Sequence, residues 1–389
     1  MKVLIWLDWI LFIAFAINIL YLLFYSIASR FTPKKVNQNV TWNKKIAIFI
    51  PAYKEDAVIK DCVESCLTQN YPTDKYDTIV ISDQMKEETN EALRSMGAEV
   101  VEVFFENSSK SKALNHAMSF YDDYEVALIL DGDNLIEPDF LLKINQEMVM
   151  NGTNVIQAHR TAKNTNTNLA YLDAISEEIN NSIFRQGHVN VGLSSAFIGS
   201  GMAIRYDLLK TTMSTIDSVG EDRELEMKLL LKGYHFVYLP DAILKDEKTQ
   251  NLENFSSQRK RWLSVQFQFI KNYFPVFIRQ LMKANLDVVD KYLQQFSIPR
   301  ILLIGWTILF VVVTSFISSS IALKWWGLCI SLFVALILAI PKKFWNRKMS
   351  KALWSIPSSF LTMFLLIFKL KGAHKSFIHT EHGVEDENK

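Results

Sequence analysis

The chain has 389 residues, 49% of them hydrophobic and 21% charged. Forty-two Lys and Arg stand against 41 Asp and Glu, a net charge of +1, so no global field selects a nucleic acid as partner. Three cysteines, Cys62, Cys66 and Cys329, exclude a disulfide scaffold and suit a reducing compartment. Cys62 and Cys66 share one helix face in "DCVESC". With no Cys or His cluster nearby, they read as small core residues rather than a metal or redox pair.

The first predicted element is a membrane helix over residues 1–28. Trp9 to Tyr25 carries no charge, and the apolar run reaches back to Val3 apart from Asp8. A run of about 20 residues can cross a bilayer. A cleaved leader is the competing reading, on the small residues "SIAS" at Ser26 to Ser29. The single Lys2 and the length of the run favour an anchor. Arg30, Lys34, Lys35, Lys44 and Lys45 follow. By the positive-inside rule the next domain is cytoplasmic, on the inner face of the cell membrane.

Residues 45–255 read as an α/β domain. Apolar strands ("KIAIFIPAY", "DTIVISD", "EVALILD", "TNVIQAH") alternate with helical patterns ("DAVIKDCVESCLTQ", "TNEALRSMG", "SKALNHAMSF"). That alternation predicts βαβ units and a mainly parallel sheet. The nearly unbroken apolar strands predict that both sheet faces are covered.

Residues 256–298 include "QRKRWLSVQFQFIKNYFPVFIRQLMK" from Gln258. Val265, Phe269 and Tyr273 recur at helical spacing until Pro275 interrupts, which predicts amphipathic helices at the membrane surface. Residues 299–341 hold two apolar runs, Ile301 to Ile317 and Trp325 to Ile340, and predict a transmembrane hairpin. The loop "PKKFWNRKMSK" is strongly basic and therefore cytoplasmic. Residues 352–370 are apolar but basic on both flanks, which favours an interfacial or re-entrant helix over a fourth crossing. Residues 371–389 form a polar tail.

Ligands of open α/β sheets bind beyond the carboxyl ends of strands. Three strands deliver polar residues there: Tyr53 and Glu55 after "IAIFIPAY", Asp83 after "TIVIS", and Asp131 and Asp133 in "VALILDGDN". Two carboxylates one residue apart, with Gly132 between, repel each other without a counter-ion. A hard divalent cation shared with a phosphate removes that repulsion. Lys112 stands at the start of a helical pattern, a phosphate-binding arrangement. A helix predicted from about Glu221 to Gly233 carries Asp222 in its first turn, as a helix cap or as a general base. Gln258, Arg261 and Trp262 in "QRKRW" combine an amide, a guanidinium fork suited to a diphosphate and a flat ring suited to a sugar. The glycines of "FIGSGMAIR" suggest close backbone approach to a ligand.

In this order and spacing, the Pro51-Ala52-Tyr53 start, Asp83, Lys112, the Asp131/Asp133 pair, "GED" at Asp222 and Q-x-x-R-W at Gln258, Arg261 and Trp262 resemble the processive membrane glycosyltransferases of family 2. These include cellulose, chitin and hyaluronan synthases. The resemblance covers roughly residues 45 to 285 and, more loosely, the rest. It implies a GT-A fold, the Rossmann-like nucleotide-sugar-binding α/β class, with a UDP-sugar donor and Mg²⁺ or Mn²⁺. It implies Tyr53, Glu55 and Asp83 near the nucleobase and Lys112 on the diphosphate. Asp131 and Asp133 would serve the ribose-diphosphate, with Asp133 on the metal. Asp222 would be the base, Gln258 and Arg261 would hold the diphosphate, and Trp262 would stack on the acceptor. "FIHTEH" in the tail resembles that family's gating loop, with Phe377 and Thr380 kept. His379 and His382 replace its valine and lysine, which weakens the diphosphate contact or makes it pH-dependent.

The expected activity is inverting transfer from a UDP-sugar to a growing polysaccharide at the cytoplasmic membrane face. The alternative is transfer of one sugar to a lipid-linked acceptor. Three crossings are few for a private export path, so a second copy or a partner protein would complete it. A third reading is a silent sensor of nucleotide sugars. The complete set of metal, base and diphosphate positions weighs against it.

Overall fold

The computed structural model describes residues 2–31, 42–216 and 220–367. The gating-loop resemblance, with Phe377, His379, Thr380 and His382, lies outside the described residues.

Helix α1 (Lys2–Ala28) leads. Alternating units follow: β1 (Ile46–Tyr53), α2 (Ile59–Leu67), β2 (Tyr76–Asp83), α3 (Glu87–Met96), β3 (Glu99–Val103), α4 (Lys110–Met118) and β4 (Val126–Ile129). Next come β5 (Leu135–Ile136), α5 (Phe140–Asn151), β6 (Val155–Ala162) and α6 (Asn168–Asn180). A π-helical turn, Asn181–Gly187, carries α6 into the short α7 (His188–Asn190). Strand β7 (Met202–Arg205), α8 (Tyr206–Met213), α9 (Glu221–Leu231) and β8 (Val237–Asp246) complete the domain.

The eight strands form one sheet in the order β3-β2-β1-β4-β7-β6-β8-β5. β3, β2, β1 and β4 pair in parallel, while β7 runs antiparallel to both β4 and β6. The mainly parallel expectation therefore holds on one side, and the reversed β7 makes the sheet mixed. Alternation along β1 shows why the strands read as apolar throughout. Ile46, Ile48 and Ile50 pack with α2 and α5 on one face, and Ala47 and Phe49 pack with α4, α8 and α9 on the other. Both faces are core. Cys62 and Cys66 are fully buried in the first of these clusters.

Three helices are long and apolar enough to cross a membrane: Ile5–Ala28 within α1, α12 (Arg300–Ile317) and α13 (Ser319–Ala339). Between the sheet and this group lie α10 (Leu252–Met282) and α11 (Leu286–Gln294). Pro275 does not interrupt α10, which runs through it as one helix of 31 residues. The proline removes one N–H donor, and stacked aromatic packing on both sides holds the helix together. Phe269 stacks on Tyr273 at 4.4 Å, and Phe277 stacks on Tyr292 of α11 at 4.4 Å. The same helix leaves Phe267, Phe274, Ile278 and Leu281 exposed on its other side.

After α14 (Arg347–Leu353), α15 (Ile356–Ile367) packs back on α12. Its described 12 residues rise about 18 Å, short of a hydrocarbon core of about 30 Å. Tight contact with α12 comes at Gly305, where an added Cβ would lie 2.2 Å from the Phe360 ring.

Gly201 joins the two halves of the sheet. Its N–H donates to Ile129 O and its carbonyl accepts from Ala158 N, each at 2.8 Å. Its φ of +63° is left-handed, and an added Cβ would lie 2.0 Å from Leu244 Cδ2. Gly201→Ala is expected to destabilise the protein by about 2 kcal/mol, read as a lowered melting temperature in detergent. An unchanged melting temperature would show that Leu244 and the backbone relax freely.

Candidate active site

Strands β1, β2 and β4 end at one edge of the sheet, in register: Tyr53 pairs with Asp83, and Phe49 with Ile129. The next residue after each of β1 and β2, Lys54 and Gln84, has positive φ (56° and 58°) without being glycine. Such turns cost energy and concentrate at functional edges. They swing the chain away and leave Tyr53, Glu55 and Asp83 lining a cavity of about 660 Å³.

Asp131, Gly132 and Asp133 form the floor of this cavity. Asp133 is buried, with Oδ2 accepting from Glu247 N at 2.8 Å and Oδ1 from Asn134 Nδ2 at 3.0 Å. Gly132 sits close to Glu55, where an added Cβ would lie 3.1 Å from Glu55 Cγ. Asp131 Oδ1 takes a charge-assisted bond from Lys110 Nζ, which also donates to Gly199 O at 2.7 Å. Lys110 thus supplies the positive charge the carboxylate pair lacks and ties it to the glycine-rich loop of "FIGSGMAIR". Asp83 is buried, and its Oδ1 has no hydrogen-bond partner among the described residues. A buried orphan acceptor in a cavity wall is a place for a ligand's donor.

The structure corrects the lysine. Lys112 does not line the cavity. Its Nζ donates to Asn107 O at 3.0 Å on the surface. Ser109 is the N-cap of α4, accepting from Lys112 N at 3.2 Å. Lys110 is therefore the first residue of the helix and Lys112 the third. Two steps at 100° put them on opposite sides.

Asp222 and Glu221 open α9, and both line the cavity. Asp222 Oδ1 accepts from Arg223 N at 2.8 Å, and a Cβ on Gly199 would lie 3.6 Å from Asp222 Oδ2. Burial, and then the charge of Asp222, push the Glu221 carboxyl up to about 7. Behind them, buried Glu226 accepts from Phe197 N at 2.9 Å and pairs with buried Lys291 of α11 at 3.3 Å. The interfacial α11 is thereby fastened to the acidic helix.

Gln258, Arg261 and Trp262 all project from α10 into the same cavity. Gln258 Oε1 is buried without a hydrogen-bond partner among the described residues. Arg259 lies over the Trp262 ring at 4.4 Å and over Phe255 at 4.9 Å, and it pairs with Asp173. The indole is thus clamped and presents a fixed face.

One part of the wall was not legible in the sequence. Glu177 pairs with Arg160 at 2.9 Å and with Arg185 at 3.1 Å, and Lys248 bonds Asp246 at 2.7 Å. Burial opposes ionisation of Glu177, but Arg160, Lys248 and Arg185 outweigh it and hold the carboxyl well below the usual range. The members come from β6, α6, the π-turn, the end of β8 and the loop after it, and no motif spacing links them. The cavity continues past this network to Leu22 of α1, Arg300 and Ile301 of α12, and Ser359 and Met363 of α15.

Tyr53, Glu55, Asp83, Asp131, Asp133, Asp222, Gln258, Arg261 and Trp262 thus converge on one cavity. Lys112 does not, and Thr380 lies outside the described residues. Among the described residues no three His, Cys, Asp or Glu side chains form a metal cage.

Known proteins show the same architecture. A mannosyltransferase from Pyrobaculum calidifontis, solved with GDP-mannose and Mn²⁺, matches with a TM-score of 0.54 at 16% identity, over 88% of this chain and 99% of that one. A β-monoglucosyldiacylglycerol synthase of Trichormus variabilis is 20% identical over 65% of this chain and 56% of its own length. A probable glucomannan 4-β-mannosyltransferase of Oryza sativa is 26% identical over 56% of this chain and 42% of its own. The chain spans about half the length of these two curated relatives. The family model described as glycosyltransferase-like family 2 matches residues 43–264, more than half of the chain. A match of that extent makes the chain a member of glycosyltransferase family 2, with the GT-A architecture in its sheet.

Proposed function

We propose that this protein transfers one sugar from a UDP-sugar to a lipid-anchored acceptor at the cytoplasmic face of the membrane. The observation that carries the reading is the single cavity. It runs from the carboxyl edge of the sheet to the first turn of α12 and to α15, so an acceptor held in the membrane plane reaches the donor without crossing solvent. An apolar stretch of wall, with Leu22, Leu169, Leu172, Ile301 and Met363, suits a hydrocarbon chain.

Tyr53, Glu55 and Asp83 take the nucleoside, with the orphan Asp83 Oδ1 accepting from the base. Lys110, Gln258 and Arg261 take the diphosphate. Asp131 and Asp133 would hold a divalent ion such as Mg²⁺ or Mn²⁺ beside the donor diphosphate. The lack of a closed protein cage suits such a shared ion. Bound there, with Asp133 as its main protein ligand, the ion supplies Lewis-acid stabilisation of the leaving diphosphate. Asp222 accepts the proton of the acceptor hydroxyl as that oxygen bonds the anomeric carbon. The carbon–oxygen bond to the diphosphate breaks, and its electron pair leaves on UDP. One displacement inverts the anomeric centre. Lys110 and Arg261 meet the charge that grows on UDP.

A second reading, extension of a polysaccharide, is favoured by Trp262. Its ring, clamped by Arg259, suits the platform a sugar chain slides across. Product length separates the two. Incubation with UDP-sugars, Mn²⁺ and lipid nanodiscs should yield acceptors carrying one sugar. A ladder of longer products would favour polymerisation.

Asp222→Asn should lower turnover by about 10²–10⁴-fold while UDP still binds with unchanged affinity. Retained turnover would remove Asp222 as the base. Lys110→Met should lower UDP-sugar turnover roughly tenfold or more, whereas Lys112→Met should leave it within about twofold. Equal losses would restore Lys112 to the site. Glu221 carries a stability signature as well. Its folded pKa of about 7 lies above an unfolded value near 4.3. Its ionisation therefore costs nothing below pH 4 and its full amount above pH 7. Glu221→Gln should raise the melting temperature at pH 8 and leave it nearly unchanged at pH 4. A gain of the same size at both would place the carboxyl in water.

A further inference from the structure

The membrane end of the cavity has its own chemistry. Helix α12 begins there, and its N-cap, Pro299, offers no side chain to its first N–H groups. Pro299, Arg300 and Ile301 all line the cavity. Arg300 donates only to neutral groups: Asn180 Oδ1 at 2.6 Å, Ser176 Oγ at 2.7 Å and Ser176 O at 2.9 Å. It has no carboxylate partner among the described residues, whereas Arg160, Arg185 and Arg259 in the same wall each have one. Facing α12 across the cavity is α15. Its Ser359 is 1% exposed, lines the cavity, and has an Oγ without a hydrogen-bond partner among the described residues. A helix N-terminus, a guanidinium that no carboxylate bonds directly and a buried unpartnered hydroxyl all line one cavity, a donor set suited to an anion.

We infer that α12, Arg300 and Ser359 form an acceptor subsite for the phosphate of a membrane lipid. This deepens the lipid-acceptor reading above and rests on it. Two requirements meet in the acceptor. The base Asp222 needs a hydroxyl nucleophile, and Arg300 needs an anion. The acceptor class is therefore a lipid with a phosphate in its head and a hydroxyl beyond it. The hydrocarbon chain lies along the apolar wall that includes Leu169, Ile301 and Met363.

The test uses the full chain in nanodiscs of phosphatidylcholine with a minor fraction of phosphatidylglycerol. Native mass spectrometry reads the lipid retained after mild delipidation, and UDP affinity serves as the folding control. The protein should retain phosphatidylglycerol over phosphatidylcholine. Arg300→Gln should lower that preference roughly tenfold with UDP affinity unchanged. Arg300→Lys should recover most of it, and Ser359→Ala should lower it severalfold. Should Arg300→Gln fail to fold, the Lys and Ser359 variants carry the same contrast. Equal preference in all variants would overturn the subsite. Tight binding of inorganic phosphate that abolishes the preference would make free phosphate the ligand and overturn the lipid assignment. A preference lost with Arg300 but no sugar transfer to any lipid would leave the subsite standing and remove the lipid-acceptor reading instead.

Discussion

The site depends on one electrostatic constraint, the pair of carboxylates at the end of a fully buried strand. Strand β4 is apolar on both faces because both faces are core, and it ends with Asp131 and Asp133 over the cavity. Two like charges there need a positive partner. Lys110 provides one by bonding Asp131 and the Gly199 carbonyl together. This contact ties the first turn of α4, the loop after β4 and the glycine-rich loop before β7 into a single frame. Asp222 stands beside that frame, near Gly199. Disturbing the ion pair would therefore loosen the donor side and the acid–base side at once.

A second design runs from the catalytic domain toward the membrane. The α11 lysine, Lys291, is buried against Glu226 behind the acidic helix. Arg300 at the start of α12 is bonded to α6. Met363 of α15 packs with Phe255 and Leu263 of α10 and with Leu169 of α6. Membrane helices and catalytic elements thus share side chains and do not merely lie side by side. A cavity continuous from sheet edge to membrane helices follows from that interlock. It is why an acceptor anchored in the bilayer is the economical reading of the site.

Much of this was legible in the chain itself. Unbroken apolar strands between amphipathic helices marked a covered sheet, and charge-free runs marked the long apolar helices. Polar residues placed just after strands pointed to the sheet edge. The readings that failed were local. Pro275 did not break α10, because aromatic stacking against α11 outweighs one missing hydrogen bond. Lys110 rather than Lys112 faces the carboxylates, because helix phase is not visible in composition. The capping bond from Ser109 sets that phase.

Periodicity and placement in the sequence therefore determine the fold class, three helices long and apolar enough to cross a membrane, and nine of the residues that converge on the cavity. These features depend on near neighbours and on period, which a linear chain displays. Tertiary structure alone decides which lysine faces the carboxylates, how Glu177 gathers cations from distant elements, and that Arg300 and Ser359 line one cavity. Those are balances of charge between segments far apart in the chain. Nothing in local spacing carries them, because burial and partner choice exist only once the segments have packed.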